Sequence, residues 1–171
     1  EQIDGLILLA QNFKNSPQQS VTYSHHFPIV ATSFLENSTR TKHSFGIAVQ
    51  KLGARFLDFN AETSSLKKGE NLEETLLTLS SQGVDACIIR TSVSNELTPF
   101  KEKPPIKIIN GGDGINQHPT QALLDLFTIL ETGIELEGKT MAIIGDTLHS
   151  RVSNSLIDLM PLFGIKLLLC G

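Results

Sequence analysis

Five segments carry side chains whose types and spacing suit chemistry. The first is Ser38-Thr39-Arg40-Thr41, which follows an apolar run directly and opens a helical pattern. The first turn of a helix has free backbone N–H groups and the positive end of the macrodipole. Hydroxyls and a guanidinium converge there, which suits a phosphate dianion: several short donors plus one planar, permanently charged fork. The alternative is an ordinary cap, with Ser38 satisfying backbone N–H groups and Arg40 in solvent. Capping accounts for the hydroxyls but not for the arginine.

The second segment, His118-Pro119-Thr120-Gln121, is another loop-to-helix junction, after a Gly111-Gly112-Asp113-Gly114 tight turn. His118 and Gln121 lie one turn apart. Both can face the crevice beyond the carboxyl ends of the strands, where open α/β sheets bind ligands. A histidine there can donate to a carbonyl oxygen as negative charge develops. A histidine cap with a solvated glutamine is the alternative. The glycines form neither a Walker loop nor a dinucleotide fingerprint. The third candidate is Arg90, closing the Cys87-Ile88-Ile89 strand and pointing at the same crevice, or else forming a surface ion pair. The fourth, Ser64-Ser65-Leu66-Lys67-Lys68-Gly69-Glu70, reads by pattern as a mobile loop with solvated lysines. The fifth, Gly145-Asp146-Thr147-Leu148-His149-Ser150-Arg151, is a strand-to-helix turn with one glycine where the nucleotide fingerprint needs three. For a metal there is little: His25 and His26 are adjacent, His43 is alone, and no Cys/His ligand spacing occurs. No serine nucleophile elbow occurs either.

The elements that must position these residues alternate. Helical periodicity over Ile3–Phe13 puts Ile3, Leu6, Ile7, Ala10 and Phe13 on one face. Asn15–Pro28 reads as loop, and Ile29–Leu35 as a strand buried on both sides. Ser38–Leu52 reads as a helix with Thr41, Phe45, Ala48, Val49 and Leu52 inward, ended by Gly53. Strands follow at Ala54–Phe59, Ala86–Arg90 and Ile106–Ile109, with a helix at Leu72–Ser81. Pro119–Thr132 is a helix with proline in its first turn and Ala122, Leu123, Leu126, Phe127 and Leu130 on one face. Thr140–Ile144, Val152–Phe163 and Ile165–Leu169 complete a last strand, helix and strand. This alternation predicts an α/β fold, a parallel-sheet three-layer domain followed by the start of a second similar domain. The stretch 137–171 is a lone βαβ unit of about 35 residues, too small to hold a core by itself. The expected division is therefore 1–136 and 137–171.

Composition narrows the classes. The 171 residues are 40% hydrophobic and 19% charged, which favours a folded core over disorder. Lys plus Arg is 14 and Asp plus Glu is 18, a net charge of −4. That balance argues against general nucleic-acid binding but leaves room for a small anion in a locally positive pocket. Two cysteines, Cys87 and Cys170, exclude a disulfide-dense secreted scaffold, and both read as buried thiols. No apolar stretch reaches the ~20 residues of a membrane span. Glu1-Gln2-Ile3-Asp4 has no basic region and does not read as a signal peptide. The expectation is a cytoplasmic protein without nucleic-acid or membrane partners, whose two ends read as cut.

Taken together, Phe34-Leu35-Glu36-Asn37-Ser38-Thr39-Arg40-Thr41, Ser44-Phe45 and Lys51-Leu52-Gly53-Ala54 resemble the carbamoyl-phosphate motif of the aspartate and ornithine carbamoyltransferases. Gly112-Asp113-Gly114, His118-Pro119-Thr120-Gln121 and Leu123-Leu124-Asp125-Leu126-Phe127-Thr128-Ile129 resemble that family's second motif. The motifs run in order over most of the chain. Leu123-Leu124-Asp125-Leu126, Lys67-Lys68-Gly69-Glu70 and His149-Ser150-Arg151 resemble the aspartate branch, in which an extra cation such as Arg151 would grip a carboxylate.

The resemblance implies a carbamoyl-phosphate-binding domain over 1–136 and the first βαβ unit of an aspartate-binding domain over 137–171. It implies carbamoyl transfer from carbamoyl phosphate to L-aspartate in pyrimidine biosynthesis, without metal or organic cofactor. By the same resemblance Ser38, Thr39, Arg40 and Thr41 hold the phosphate. Thr41, Arg90 and His118 polarise the carbonyl, and Gln121 binds the carbamoyl amine. Ser65 and Lys68 reach in from a neighbouring subunit, Lys68 touching both substrates, which makes a homotrimer the minimal active unit. Arg151 takes the aspartate α-carboxylate. Regulatory or dihydroorotase chains are further partners the family allows. Gly46, Lys42 and Thr91 depart from the family's usual Glu, Arg and His. An ornithine or other amine acceptor, a non-catalytic phosphate-binding relative and a Rossmann-type fragment are the alternatives.

Overall fold

The computed structural model describes residues 1–16, 21, 23, 26–59 and 71–171. The helices are α1 (Gln2–Asn15), α2 (Thr39–Lys51), α3 (Leu72–Ser81), α4 (Pro119–Glu131) and α5 (Arg151–Leu159). The strands are β1 (Ile29–Phe34), β2 (Arg55–Phe59), β3 (Ala86–Thr91), β4 (Lys107–Asp113), β5 (Thr140–Ile144) and β6 (Lys166–Cys170). Short 3-10 turns lie at Thr98–Phe100 and Met160–Phe163. Two compact units result: Glu1–Arg90 with Pro99–Ile109, and Thr91–Thr98 with Asn110–Gly171.

The first unit is built on a four-stranded sheet in the order β2-β1-β3-β4. β1 pairs parallel with β2 on one edge and with β3 on the other, Ile29 opposite Arg55 and Val30 opposite Ala86. Parallel strands joined by helical crossovers are covered on both faces, so their interior residues form continuous buried runs. Ala31, Thr32 and Ser33 in β1 and Cys87, Ile88 and Ile89 in β3 are buried in this way. Thr32 donates to Asp58 of β2 at 3.3 Å, and Asp58 in turn pairs with Lys42 of α2 at 2.8 Å. The Ser33 hydroxyl is buried without a hydrogen-bond partner among the described residues.

α2 packs on β1 and β2. It ends as expected, with Gly53 taking φ +71. Its inward stripe differs from the expectation, because Ala48 is exposed while Gly46 and Val49 are buried. Gly46 seats the helix on the Phe56 ring: an added Cβ would lie 3.2 Å from Phe56 Cζ. The usual helix penalty of glycine is therefore offset by close approach. α1 forms where periodicity places it, but of the expected face only Ile7 is buried, while Leu6 and Phe13 are exposed. Periodicity sets a stripe and does not supply its cover. α3 begins with a capping box, Asn71 accepting from the Glu74 N–H and Glu74 from the Asn71 N–H.

In the second unit β5 and β6 pair parallel and α4 packs beside α5. The expected helix over 152–163 is split. Pro161 lacks an N–H for the Ile157 carbonyl, and the chain tightens into the 3-10 turn at Met160–Phe163. β4 is longer than expected and includes Gly111, Gly112 and Asp113, so the tight turn starts only at Gly114. Glycine permits the φ of 129° at position 112, where the N–H is taken by the Asn110 side chain at 2.8 Å. α4 falls in the same compact unit as β5, α5 and β6.

The two thiols differ. Cys87 is buried, and desolvation pushes its pKa up to about 12. Cys170 is exposed, contrary to the expectation of burial; on a two-stranded sheet an apolar run does not guarantee cover on both faces.

Two tests follow from this architecture. Gly114 has φ +50, and a Cβ there would come within 2.8 Å of Ser94 Cα. Gly83 also has positive φ, but its Cβ position is open. Gly114→Ala is expected to cost clearly more stability in urea melts than Gly83→Ala, whose penalty is about 1 kcal/mol of backbone strain. Asp85 accepts from the Ile29 N–H and from His26, each at 2.8 Å, which fixes the start of β1. The Ile29 N–H first, then His26, lowers the Asp85 pKa below the ordinary carboxylate value. A depressed folded pKa gives stability that is present above the unfolded pKa and lost as pH falls through the folded one. Acid unfolding of Asp85→Asn should therefore show a shallower loss below about pH 4 than the parent chain.

Candidate functional site

In the first unit, β1 and β3 end side by side, with Phe34 opposite Arg90 and the Leu35 N–H donating to the Arg90 carbonyl at 2.8 Å. That register carries the loop after β1 past the Arg90 side chain. Arg90 Nε donates to Glu36 Oε1 at 2.5 Å, and a terminal guanidinium nitrogen donates to Thr41 Oγ1 at 3.3 Å. The pair is largely withdrawn from solvent, with side chains 13% and 21% exposed. Thr41 and Arg90 are thus brought together as the sequence suggests, and the surface-pair alternative for Arg90 is replaced by a partly buried one. Glu36 lies inside the motif read from sequence, but as a partner for Arg90 it was not foreseen. Contact between residues so far apart in sequence has no local signature.

Ser38 is the N-cap residue of α2, yet its side chain accepts no bond from the first-turn N–H groups. The ordinary-cap reading therefore does not describe it. Thr39 and Arg40 are exposed on the first turn, and Arg40 makes no ion pair among the described residues. This helix start combines free backbone donors, hydroxyls and a solvent-facing guanidinium. Chemically it can receive an oxyanion.

In the second unit, His118 is buried at the N-cap of α4 but caps nothing with its ring. Its Nδ1 lies 3.4 Å from Thr120 Oγ1. The His118 N–H donates to Ser155 Oγ of α5 at 2.8 Å. Gln121 is not simply solvated: its Nε2 donates to Asp125 at 2.9 Å. That bond directs the Gln121 carbonyl oxygen away from Asp125, where it can accept from an N–H. The Asp125 partner was legible in principle, since residues four apart on a helix are neighbours. Arg151 is the first residue of α5, one turn before Ser155 and on the same stripe. The turn before it is pinned by Asp146, which accepts from the His149 N–H at 3.1 Å and approaches its ring at 3.0 Å. These bonds, the backbone one foremost, lower the Asp146 pKa.

Ser65 and Lys68 lie outside the described residues. Among the described residues no group of His, Cys, Asp or Glu could hold a metal ion, and no helix is long and apolar enough to cross a membrane.

The Glu36–Arg90 and Lys42–Asp58 ion pairs should separate in a mutational comparison. Glu36→Ala removes the carboxylate from a mostly desolvated guanidinium and is expected to cost about 1–3 kcal/mol in chemical denaturation. Lys42→Ala breaks a more open pair and should cost under about 1 kcal/mol.

Residues 1–131 match the family model described as aspartate/ornithine carbamoyltransferase, carbamoyl-P binding domain. The aspartate carbamoyltransferase catalytic subunit of Streptococcus pyogenes serotype M5 (strain Manfredo) is 43% identical over 173 aligned positions, covering 100% of this chain and 55% of that protein. The chain thus spans about half the length of the curated relatives it matches. Aspartate transcarbamoylase from Trypanosoma cruzi in complex with carbamoyl aspartate and phosphate superposes with a TM-score of 0.84 at 29% identity, over 99% of this chain and 64% of that one. The same Trypanosoma cruzi enzyme in complex with N-(phosphonacetyl)-L-aspartic acid gives 0.84 at 29% identity, over 99% and 62%. On the extent of the family match and the 43% identity, the chain belongs to the aspartate/ornithine carbamoyltransferase family.

Proposed function

We propose that this chain supplies the carbamoyl-phosphate-binding part of an aspartate carbamoyltransferase. The protein transfers the carbamoyl group of carbamoyl phosphate to the amine of L-aspartate, giving N-carbamoyl-L-aspartate and phosphate. The observation that carries this reading is Arg90 held between Glu36 and Thr41 beside a helix start whose Ser38 hydroxyl is not used for capping. Identity to a Streptococcus pyogenes aspartate carbamoyltransferase subunit favours aspartate over ornithine as acceptor.

The roles follow from the chemistry of each group. Ser38, Thr39, Arg40 and Thr41 bind the phosphate with the first-turn N–H groups of α2. Thr41, Arg90 and His118 donate to the carbonyl oxygen of the carbamoyl group. Their bonds strengthen as that oxygen becomes an oxyanion, so they lower the barrier rather than only the ground state. Gln121 accepts from the carbamoyl NH2 through the oxygen that Asp125 leaves facing outward. Arg151 grips the α-carboxylate of aspartate, and the amine then attacks the carbonyl carbon. A tetrahedral intermediate forms, the C–O bond to phosphate breaks, and the departing phosphate takes the amine proton. Positioning contributes the rest of the rate.

Ser65 and Lys68 enter from a neighbouring subunit in this proposal, so the working form is a cytoplasmic homotrimer, open to regulatory or dihydroorotase chains. Residues 1–136 are the carbamoyl-phosphate domain and 137–171 open the aspartate domain. The family match ending at residue 131 supports that division.

The deciding assay is phosphate release by the full natural gene product, with L-aspartate and L-ornithine in parallel. Release that depends on aspartate alone is expected; release with ornithine, or with neither, overturns the proposal. In the same protein Arg40→Ala should weaken carbamoyl-phosphate binding by about 10–100-fold, the loss of one charge-assisted contact. Unchanged affinity by calorimetry would remove Arg40 from the site.

A further inference from the structure

Asp158 of α5 has no part in the roles assigned above, yet it terminates a chain of hydrogen bonds that ends on His118. Asp158 Oδ2 accepts from Gln117 Nε2 at 2.8 Å. Gln117 Oε1 accepts from the Ser155 hydroxyl. Ser155 Oγ accepts from the His118 backbone N–H at 2.8 Å. Beside this chain, Asn154 Nδ2 donates to the Ile115 carbonyl at 3.0 Å. Three residues of one helix thus hold the loop that delivers His118 to the start of α4.

The direction of these bonds is set by one charge. An ionised carboxylate only accepts, so Gln117 must turn its NH2 toward Asp158 and its carbonyl toward Ser155. The single O–H of Ser155 is then committed to Gln117, and a lone pair remains for the His118 N–H. A flipped Gln117 would turn its NH2 toward Ser155 and take away the acceptor that the Ser155 hydroxyl uses here. The point held is a sensitive one. The next residue, Pro119, has no N–H, so the His118 N–H is the last backbone donor ahead of the helix. His118 itself is an N-cap with φ −142 and ψ 68, and the direction of its ring depends on how that peptide is fixed.

We propose that Asp158 is a positioning residue for His118, acting through Gln117 and Ser155. It touches no substrate. It holds the peptide of the residue that polarises the carbonyl. Because Arg151 lies on the same helix stripe as Ser155, one rigid element also carries the acceptor-binding cation. The catalytic half of this inference rests on the proposed reaction; the structural half does not.

The test uses the full natural gene product with Asp158→Ala, Asp158→Asn and Gln117→Glu, read in two ways. Amide hydrogen exchange at His118 should accelerate about 10-fold or more in Asp158→Ala and Gln117→Glu, with global melting close to the parent. Asp158→Asn, whose side-chain oxygen can accept the same bond, should restore most of the protection. In turnover assays, kcat for carbamoyl transfer should fall about 10-fold in Asp158→Ala while the carbamoyl-phosphate dissociation constant stays put. Unchanged His118 exchange in both disruptive variants would overturn the positioning role. So would faster exchange with unaltered kcat. If the parent protein transfers no carbamoyl group, the proposed reaction fails and the exchange measurement alone decides the role of Asp158.

Discussion

β1 has a strand on each edge, and this constraint orders the first unit. A parallel strand paired on both sides and covered on both faces has no solvent to turn a polar side chain toward. Function is pushed to its carboxyl end, where the ladder stops and the chain leaves for the next helix. Because β1 and β3 are in register there, the loop that follows β1 runs beside the last side chain of β3. Glu36 and Arg90 meet through this alignment, and Thr41 joins them one helical turn into α2. The sheet order brings together a motif and a cation that are remote in sequence.

Both units use a carboxylate to orient a planar side chain. Glu36 holds one side of the Arg90 guanidinium, which fixes the plane in which the remaining N–H groups point. Asp125 does the same for Gln121, taking the amide nitrogen and so presenting the oxygen. A planar group with one edge engaged has its plane fixed, and little rotational freedom remains to it. This is preorganisation in its plainest form: the ordering occurs on folding rather than on binding.

The elements that could be read from sequence are those with a strong local signal. α3 falls on its expected residues because Asn71 and Glu74 cap it and Gly83 follows it. β5 coincides with its apolar run. The misplacements have local reasons as well. Gly111 and Gly112 looked like a turn, but glycine also allows a strand to continue through unusual φ values. Pro161 was a visible stop signal inside the last helical pattern, and the chain obeyed it. Exposure was harder to read: Leu6, Ala10 and Phe13 of α1 and Ala48 of α2 satisfied a periodicity without being buried. Ser38 to Thr41, Arg90, His118 and Gln121 were legible as residue types at strand and helix ends. Their partners were less so. Glu36, Ser155 and Asp158 act across the fold, and only the tertiary structure pairs them.

The contrast between the two cysteines gives the molecule an internal clock. The Cys87 thiol lies in the middle of the sheet and is held protonated by its surroundings, so an alkylating reagent reaches it only when the first unit opens. Cys170 stands in solvent and reacts at once. The delay between the two modifications measures how often β3 separates from its neighbours. That interval can be timed by mass spectrometry of the two adducts, and any ligand that holds the ends of β1 and β3 together would lengthen it.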